Sequence, residues 1–491
     1  MTAPGDNLQD FDPQIERTVE ESLPGFNDAF AKTRALVADF EANQAQYRSP
    51  SYQEQEVRID FINKLFAALG WDVNHEKHKN PFEQEVKVER RVNLARAKKR
   101  ADYAFYAAPN FRDVLFYVEA KKPYVELATA DNYFQTIRYG WNSRTPVAIL
   151  TSFEEFHILD CRLKPNIDTA LQRCLGRFHY TEFADPDKFA FIYYLFSREA
   201  VANNSIKKFA AELDTRKRTG KQAKQETGIY QDIDESFLDE LDDIRQRLAR
   251  LFKNGNPKLG GETLTEVTQR VVDRLVFIRF LEDKLIEATD VVSTLGGSSS
   301  PWEAFIKASR RLDGIYNGVV FKKHAVLDDA DFHADEDEFL AICAELSHAN
   351  SPYNFDAIPI DILGNIYERF LGKVIVATPK RAIVREKPEV RKSGGVYYTP
   401  SYIVNYIVDN TVGRIIAGKT PVQIAKMRFA DIACGSGSFL LGMYDCLLRY
   451  HTKYYNENPT KAPREDCERR EEGLHLTLRK KGGFFSTTSM V

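Results

Sequence analysis

The spacing of apolar positions predicts an alternation of helices and strands over the first third of the chain. In residues 53–69 (QEQEVRIDFINKLFAAL), Val57, Phe61, Leu65 and Leu69 recur on one face at helical spacing, and Gly70 is a natural stop. Two runs rich in β-branched and aromatic residues follow, ADYAFYA (101–107) and DVLFYVEA (113–120), joined by APNFR, and together they predict a hairpin. Helical spacing returns in ATADNYFQTIRYGW (128–141), and PVAILTS (146–152) and EFHILDC (155–161) are short apolar runs again. The predicted order is helix, strand, strand, helix, strand, strand: an α/β core of roughly one hundred residues, the size of one domain.

From about residue 175 to 390 the periodicity is helical. The clearest stretches are SFLDELDDIRQRLARLF (236–252), LTEVTQRVVDRLVFIRFLEDKLIE (264–287) and IDILGNIYERFLG (360–372). A charged, weakly apolar entrance (206–228) reads as an exposed hinge, and a Pro- and charge-rich break (377–395) ends the segment. Beyond it, PSYIVNYIVDNTVGRII (400–416) is helical, KMRFADIAC (426–434) reads as a buried strand, and GSFLLGMYDCLLRYH (437–451) as a helix.

Composition narrows the class of protein. With 491 residues, 43% of them hydrophobic, the chain can build two to four cores of ordinary size, at ~100–200 residues per domain. Six cysteines form no C-x-x-C pair, and of nine histidines only His75 and His78 are closely spaced, so no zinc pattern is present and the chain reads as a reduced, cytoplasmic protein. The start of the chain is acidic without an apolar core, and no run approaches the ~20 apolar residues of a membrane span, so neither a signal peptide nor a membrane segment is expected. Net charge is only −3, but residues 86–100 (VKVERRVNLARAKKR) carry seven Lys or Arg against one Glu. Such a run can neutralise several phosphates and bind DNA without regard to sequence.

That basic run leads into the first chemical constellation. Side chains alternate along a strand, so Glu119 and Lys121 in YVEAKK share a face, and Asp102 near the start of the partner strand can project beside them. Two carboxylates at a strand edge can hold Mg²⁺, which polarises a scissile phosphate and acidifies a bound water, while a lysine positions that water or stabilises charge. A solvated strand end is the plain alternative. Glu56 on the first helix is a candidate third acid, and Gln135 and Tyr139 lie at i, i+4 on one face of the following helix.

With these residues the segment resembles the PD-(D/E)XK nuclease superfamily, and QTIRY (135–139) resembles the Q-x-x-x-Y element of nuclease domains in restriction subunits. The resemblance implies Asp102 and Glu119 as metal ligands, Lys121 as the catalytic lysine, Glu56 as the first-helix acid, and Gln135 and Tyr139 as structural or DNA-facing residues. Ala101 stands where that pattern has Pro.

A second constellation lies near residue 430. FADIACGSGSFLL is a strand, glycine-rich turn and helix, an arrangement that turns backbone amides toward a ligand, and Gly435 and Gly437 permit close approach. Leu440 stands where a dinucleotide fingerprint needs glycine, and the Gly-Lys-Ser/Thr of a P-loop is absent. A generic glycine turn remains the alternative. The segment Asp431-Ile432-Ala433-Cys434-Gly435-Ser436-Gly437-Ser438-Phe439 resembles, in all but a Pro, the S-adenosyl-L-methionine loop of amino-group DNA methyltransferases. The upstream GGVYYTPSYIV, with Tyr398, Thr399 and Pro400, resembles the cofactor-touching motif preceding that loop in the adenine-specific subclass. By this resemblance Tyr398, Thr399, Pro400, Asp431, Ala433, Gly435, Ser436 and Gly437 bind the cofactor.

Taken together the chain resembles single-chain restriction-modification enzymes of Type IIG or the related Type I single-polypeptide kind. The implied fold is an α/β nuclease core (51–175) after a helical or flexible lead (1–50), an all-α spacer (176–390), and the beginning of a Rossmann-like methyltransferase domain (391–481). The implied cofactors are Mg²⁺ and S-adenosyl-L-methionine; the implied partner is double-stranded DNA, with no membrane and no obligatory protein partner. The N/D-P-P-Y/F element that accepts the adenine amino group is missing, as is a target-recognition region, and residues 482–491 (GGFFSTTSMV) depart from the pattern. The sequence therefore leads one to expect a truncated polypeptide with an aberrant tail: an endonuclease whose methyl transfer is incomplete. The alternatives are an adenine-specific methyltransferase completed in trans and a non-catalytic DNA-binding remnant.

Overall fold

A computed structural model describes residues 25–77, 80–88, 101–108, 111–217, 233–287, 292, 295, 300–316, 320–348, 350–358, 373–378, 381–386, 399–432, 434, 437–470 and 473–477. Among the described residues no helix is long and apolar enough to cross a membrane. The described residues divide into two units, one formed by the N-terminal α/β region with residues 399 onward, the other by the middle of the chain.

In the first unit a six-stranded sheet runs in sequence order: β1 (Val86–Val88), β2 (Tyr103–Phe105), β3 (Phe116–Ala120), β4 (Val147–Thr151), β5 (Glu155–Asp160) and β6 (Cys174–His179). All pairings are antiparallel except β3 with β4. A parallel pair needs a crossover, and helix α3 (Ala130–Asn142) provides it between them. Thr129 caps that helix by accepting the Asn132 amide. Because both faces are covered, β3 and β4 are buried at every position. Tyr117, Ala148, Leu150 and Leu159 meet Tyr133, Phe134, Ile137 and Tyr139 of α3 on one face.

On the other face Phe116, Val118, Ile149 and Phe156 pack against helices α1 (Phe26–Ala42), α2 (54–68), α4 (Pro186–Phe196), α5 (Arg198–Ala202) and α6 (Ser205–Lys217). Helix α2 is continuous but changes pitch: α-helical at Glu54–Val57, π-helical at Arg58–Ile62, α-helical again at Asn63–Ala68. The hairpin of β2 and β3 is the expected one, but the sheet has two strands beyond expectation, β1 and β6. With β6 and helices α4 to α6 in the same core, the α/β region continues past residue 175, and α1 makes the end of the lead part of that core as well.

The second unit contains α7 (Ile233–Gly255), α8 (Gly261–Asp283), α9 (Pro301–Asp313) and α10 (Glu336–Leu346). Leu248 and Phe252 of α7, Val267, Val271 and Leu275 of α8, Phe305 and Leu312 of α9 and Phe339 of α10 are buried. The middle segment is thus a long all-α region through Leu346. An antiparallel hairpin, β7 (Lys373–Thr378) with β8 (Arg381–Glu386), follows where a Pro- and charge-rich break was expected. Residues 360–372 and 218–228 lie outside the described residues; the first half of the expected exposed hinge is instead helix α6, which docks because Ile206 and Phe209 bury themselves in the core of the first unit.

Residues 399–477 return to the first unit. Helix α11 consists of Ser401–Val408, a π-helical Asp409–Gly413 and Arg414–Ile416; α12 is Pro421–Ile424 and α13 Ser438–Glu457, followed by the hairpin of β9 (Cys467–Arg470) and β10 (Gly473–Leu476). Val404, Val408, Met443, Cys446 and Leu447 form the seam between α11 and α13. A Cβ at Gly442 would stand 2.8 Å from Val404 Cγ1, so the helices approach that closely only over glycine. Where a buried strand is expected over 426–434, the described residues 426–432 and 434 are instead an open connection that is largely exposed. No described strand runs beside it to take up its backbone groups, and an unpaired apolar run gains nothing from an extended conformation.

Candidate active site

Strand β3 ends in the chemistry. Its Phe116, Val118 and Ala120 point into the core shared with α2, which sends Tyr117 and Glu119 to the α3 side. The chain continues beside β4 for one more residue, because the Lys121 amide donates to the Thr151 carbonyl at 2.9 Å. Lys121 and Glu119 therefore share a face as expected, and the Lys121 ammonium forms an ion pair with Glu119 Oε1. Both side chains are buried. From α3, Gln135 Nε2 donates to the same oxygen at 3.2 Å. One turn on, Tyr139 is buried and its ring lies 6.0 Å from that of Tyr117, so it acts as packing beneath the strand.

Asp102 is buried at the start of β2 and is drawn to the end of β3: its Oδ2 accepts the Ala120 amide at 2.8 Å. Its Oδ1 accepts Arg58 Nη1 of α2 at 3.0 Å. The Arg58 guanidinium also lies 4.9 Å from the centre of the Tyr103 ring, whose hydroxyl donates to Asn63 Oδ1 at 2.8 Å. Burial pushes the Asp102 carboxyl above its ordinary range; Arg58, the Ala120 amide and Lys121 oppose that rise, and Glu54 adds to it. Burial works against the Arg58 charge, but Asp102, Tyr103 and Glu54 together raise its pKa.

Glu56 is not brought to this cluster. It is exposed and accepts the Gln53 amide, forming a capping box at the start of α2. The first-helix acid whose charge acts on both Asp102 and Arg58 is Glu54. Glu54 and Arg58 are the residues that sequence reading missed; their i, i+4 spacing was the available signal. The basic run lies almost wholly outside the described residues.

The cluster offers two carboxylates, hard oxygen donors of the kind Mg²⁺ takes while keeping several waters. Among the described residues no group of three or more His, Cys, Asp or Glu is arranged to hold a metal. Asp102 and Glu119 are the carboxylates that such an ion would have to use here, with water making up its remaining ligands.

The second predicted site is only partly described. Tyr398, Ala433, Gly435 and Ser436 lie outside the described residues. Thr399 is half-buried, and the Pro400 carbonyl accepts the Ile403 and Val404 amides at 2.9 and 3.1 Å, starting α11. Asp431 is half-buried, and Cys434 is exposed. Gly437 precedes α13 at φ +83°, where a side chain would meet no neighbour; the left-handed backbone alone calls for glycine. Its amide donates to the Cys434 carbonyl at 2.7 Å.

The profile of the N-6 DNA Methylase family matches residues 359–458, and over most of its length the chain is similar to a curated restriction-modification protein. The relative concerned is the Type II restriction enzyme and methyltransferase RM.Eco57I of Escherichia coli, 29% identical over 427 residues. The match covers 86% of this chain and 41% of RM.Eco57I, so the chain spans about two fifths of that relative's length. Alignment with the solved type IIG restriction endonuclease BpuSI covers 79% of this chain and 37% of that one, at 13% identity and a TM-score of 0.23, too low to bear on the fold.

Proposed function

We propose that the α/β region is a Mg²⁺-dependent DNA endonuclease joined to the S-adenosyl-L-methionine-binding start of an adenine-specific DNA methyltransferase. The observation that carries the proposal is the convergence of Asp102, Glu119, Lys121 and Gln135 at one end of β3, on a sheet whose single parallel pair is crossed by the helix that delivers Gln135. A bound magnesium ion would polarise the scissile phosphate and acidify a water. Asp102 and Glu119 would hold it, and their rigid placement by the Ala120 amide and by Gln135 orients the oxygens before substrate arrives. Lys121, now paired with Glu119, is placed to orient the attacking water or to stabilise negative charge on phosphorus.

The expected result with supercoiled plasmid and Mg²⁺ is nicking or cleavage by the parent and loss of it, by at least about a hundredfold, in Asp102→Ala and Lys121→Ala. Equal activity in the variants would sink the assignment. The profile match over 359–458 favours a second reading, methyl transfer to adenine. Incorporation of labelled methyl groups into DNA, with and without an added complementing methyltransferase fragment, tests it; no incorporation in either case would refute it.

A further inference from the structure

A buried carboxylate is costly unless something positive or a proton meets it. At Asp102 that role is filled from within the chain. Helix α2 changes from α to π pitch at Arg58, and single π turns are frequent at functional sites because they re-aim a side chain. The Arg58 side chain enters the core at 4% exposure, seats its guanidinium over the Tyr103 ring and donates to Asp102. A guanidinium cannot shed its proton there.

Resting on the nuclease reading above, we propose that Arg58 is a resident counter-cation for Asp102, which a divalent ion displaces on binding. Arg58 is then a positioning residue: its guanidinium faces the Asp102 carboxyl and holds it in place before the ion arrives. The ion and the guanidinium repel each other when they share one carboxylate. Glu54, one helical turn before Arg58 and half-buried, is the carboxylate that can receive the guanidinium as it leaves; its charge already acts on Arg58. Divalent binding thereby moves one charge from Asp102 to Glu54, and the cost of that exchange weakens the ion's affinity.

The test is titration of the full chain with Mn²⁺ in the absence of DNA, by calorimetry and by the electron paramagnetic resonance of free Mn²⁺. Arg58→Met should bind Mn²⁺ at least about tenfold more tightly than the parent. It should also melt at a lower temperature without the ion and recover more on adding it. If Arg58→Met does not fold, Arg58→Gln, whose amide can still donate to Asp102, should show the same tightening. Unchanged or weaker affinity in the folded Arg58 variant overturns the proposal. If parental binding is lost in Glu119→Gln while the Arg58 variants bind like the parent, the nuclease reading stands and only the displacement is wrong. No Mn²⁺ binding by either parent or Arg58 variants overturns both.

Discussion

Replacing Gly140 with alanine tests whether the placement of α3, and with it Gln135, depends on close contact with the end of β5. A Cβ at Gly140 would overlap Cys161 Sγ and stand 2.7 Å from Cys161 Cβ and 3.0 Å from Thr145 Oγ1. Cys161 and Thr145 are both buried, and the Cys161 Cβ is fixed to the backbone, so rotation about χ1 cannot clear the overlap. Carbon atoms settle at about 3.5–4.0 Å, so the helix has to retreat by roughly an ångström. Overpacking of this kind costs up to about 3 kcal/mol, and the better helix propensity of alanine returns about 1 kcal/mol. The net loss is about 2 kcal/mol, or roughly thirtyfold faster hydrogen exchange across Ala130–Asn142 if those amides exchange by sub-global opening. Cys161→Gly removes both overlapping atoms, so Gly140→Ala should cost much less in that background, and the two substitutions should be non-additive. Exchange within about twofold of the parent, or simple additivity, would refute the packing argument.

Two further outcomes follow from charge. In the helical unit, burial raises the Asp283 carboxyl, but His348 at 3.0 Å, Arg279 and the Phe355 amide outweigh it and hold the pKa at about 2, below the ordinary 3.8. Because the folded value is depressed, the stabilisation, about 2 kcal/mol, is fully present above pH 3.8 and lost as pH falls from there through about 2. Hydrogen exchange in Gly261–Asp283 should therefore depend less on pH in that window for Asp283→Asn than for the parent, and equal dependence would count against the linkage. In the first unit, half-buried Arg112 reaches Asp409 of α11 at 3.4 Å and Asp445 of α13 at 3.5 Å. Arg112→Glu turns both contacts repulsive, about 1–2 kcal/mol in all, so proteolysis of the exposed 425–432 connection should quicken severalfold at low salt and less at high salt; an unchanged rate would show that these pairs do not hold the helices.

Local period made much of the site legible. Glu119 and Lys121 are two apart on a strand, Gln135 and Tyr139 four apart on a helix, and in each case the backbone repeat decides which side chains share a face. Where the period is set by partners further off, the reading strayed. Val86–Val88 is hidden inside a charged run and becomes a strand because Tyr103–Phe105 pairs with it. Residues 426–434 are apolar enough for a strand but have no described neighbour to pair with. The break expected near residue 380 is a hairpin because β7 and β8 satisfy each other.

Charge is harder still, because an arginine in a helix has the same local pattern whether it is solvated or buried. Arg58 is buried by a partner 44 residues away and by a pitch change that no apolar repeat announces. The same pitch change bears on the choice between Glu54 and Glu56. Two residues apart, they lie on nearly opposite sides of a helix, so only one can share a face with Arg58, and the i, i+4 rule selects Glu54 once Arg58 is known to point inward. Glu56 is instead consumed by the helix terminus, where an acid at the third position satisfies an amide that α2 would leave bare. In this helix, then, the acid whose charge acts on the buried cation stands one turn before it, while the glutamate beside the apolar stripe serves the helix end.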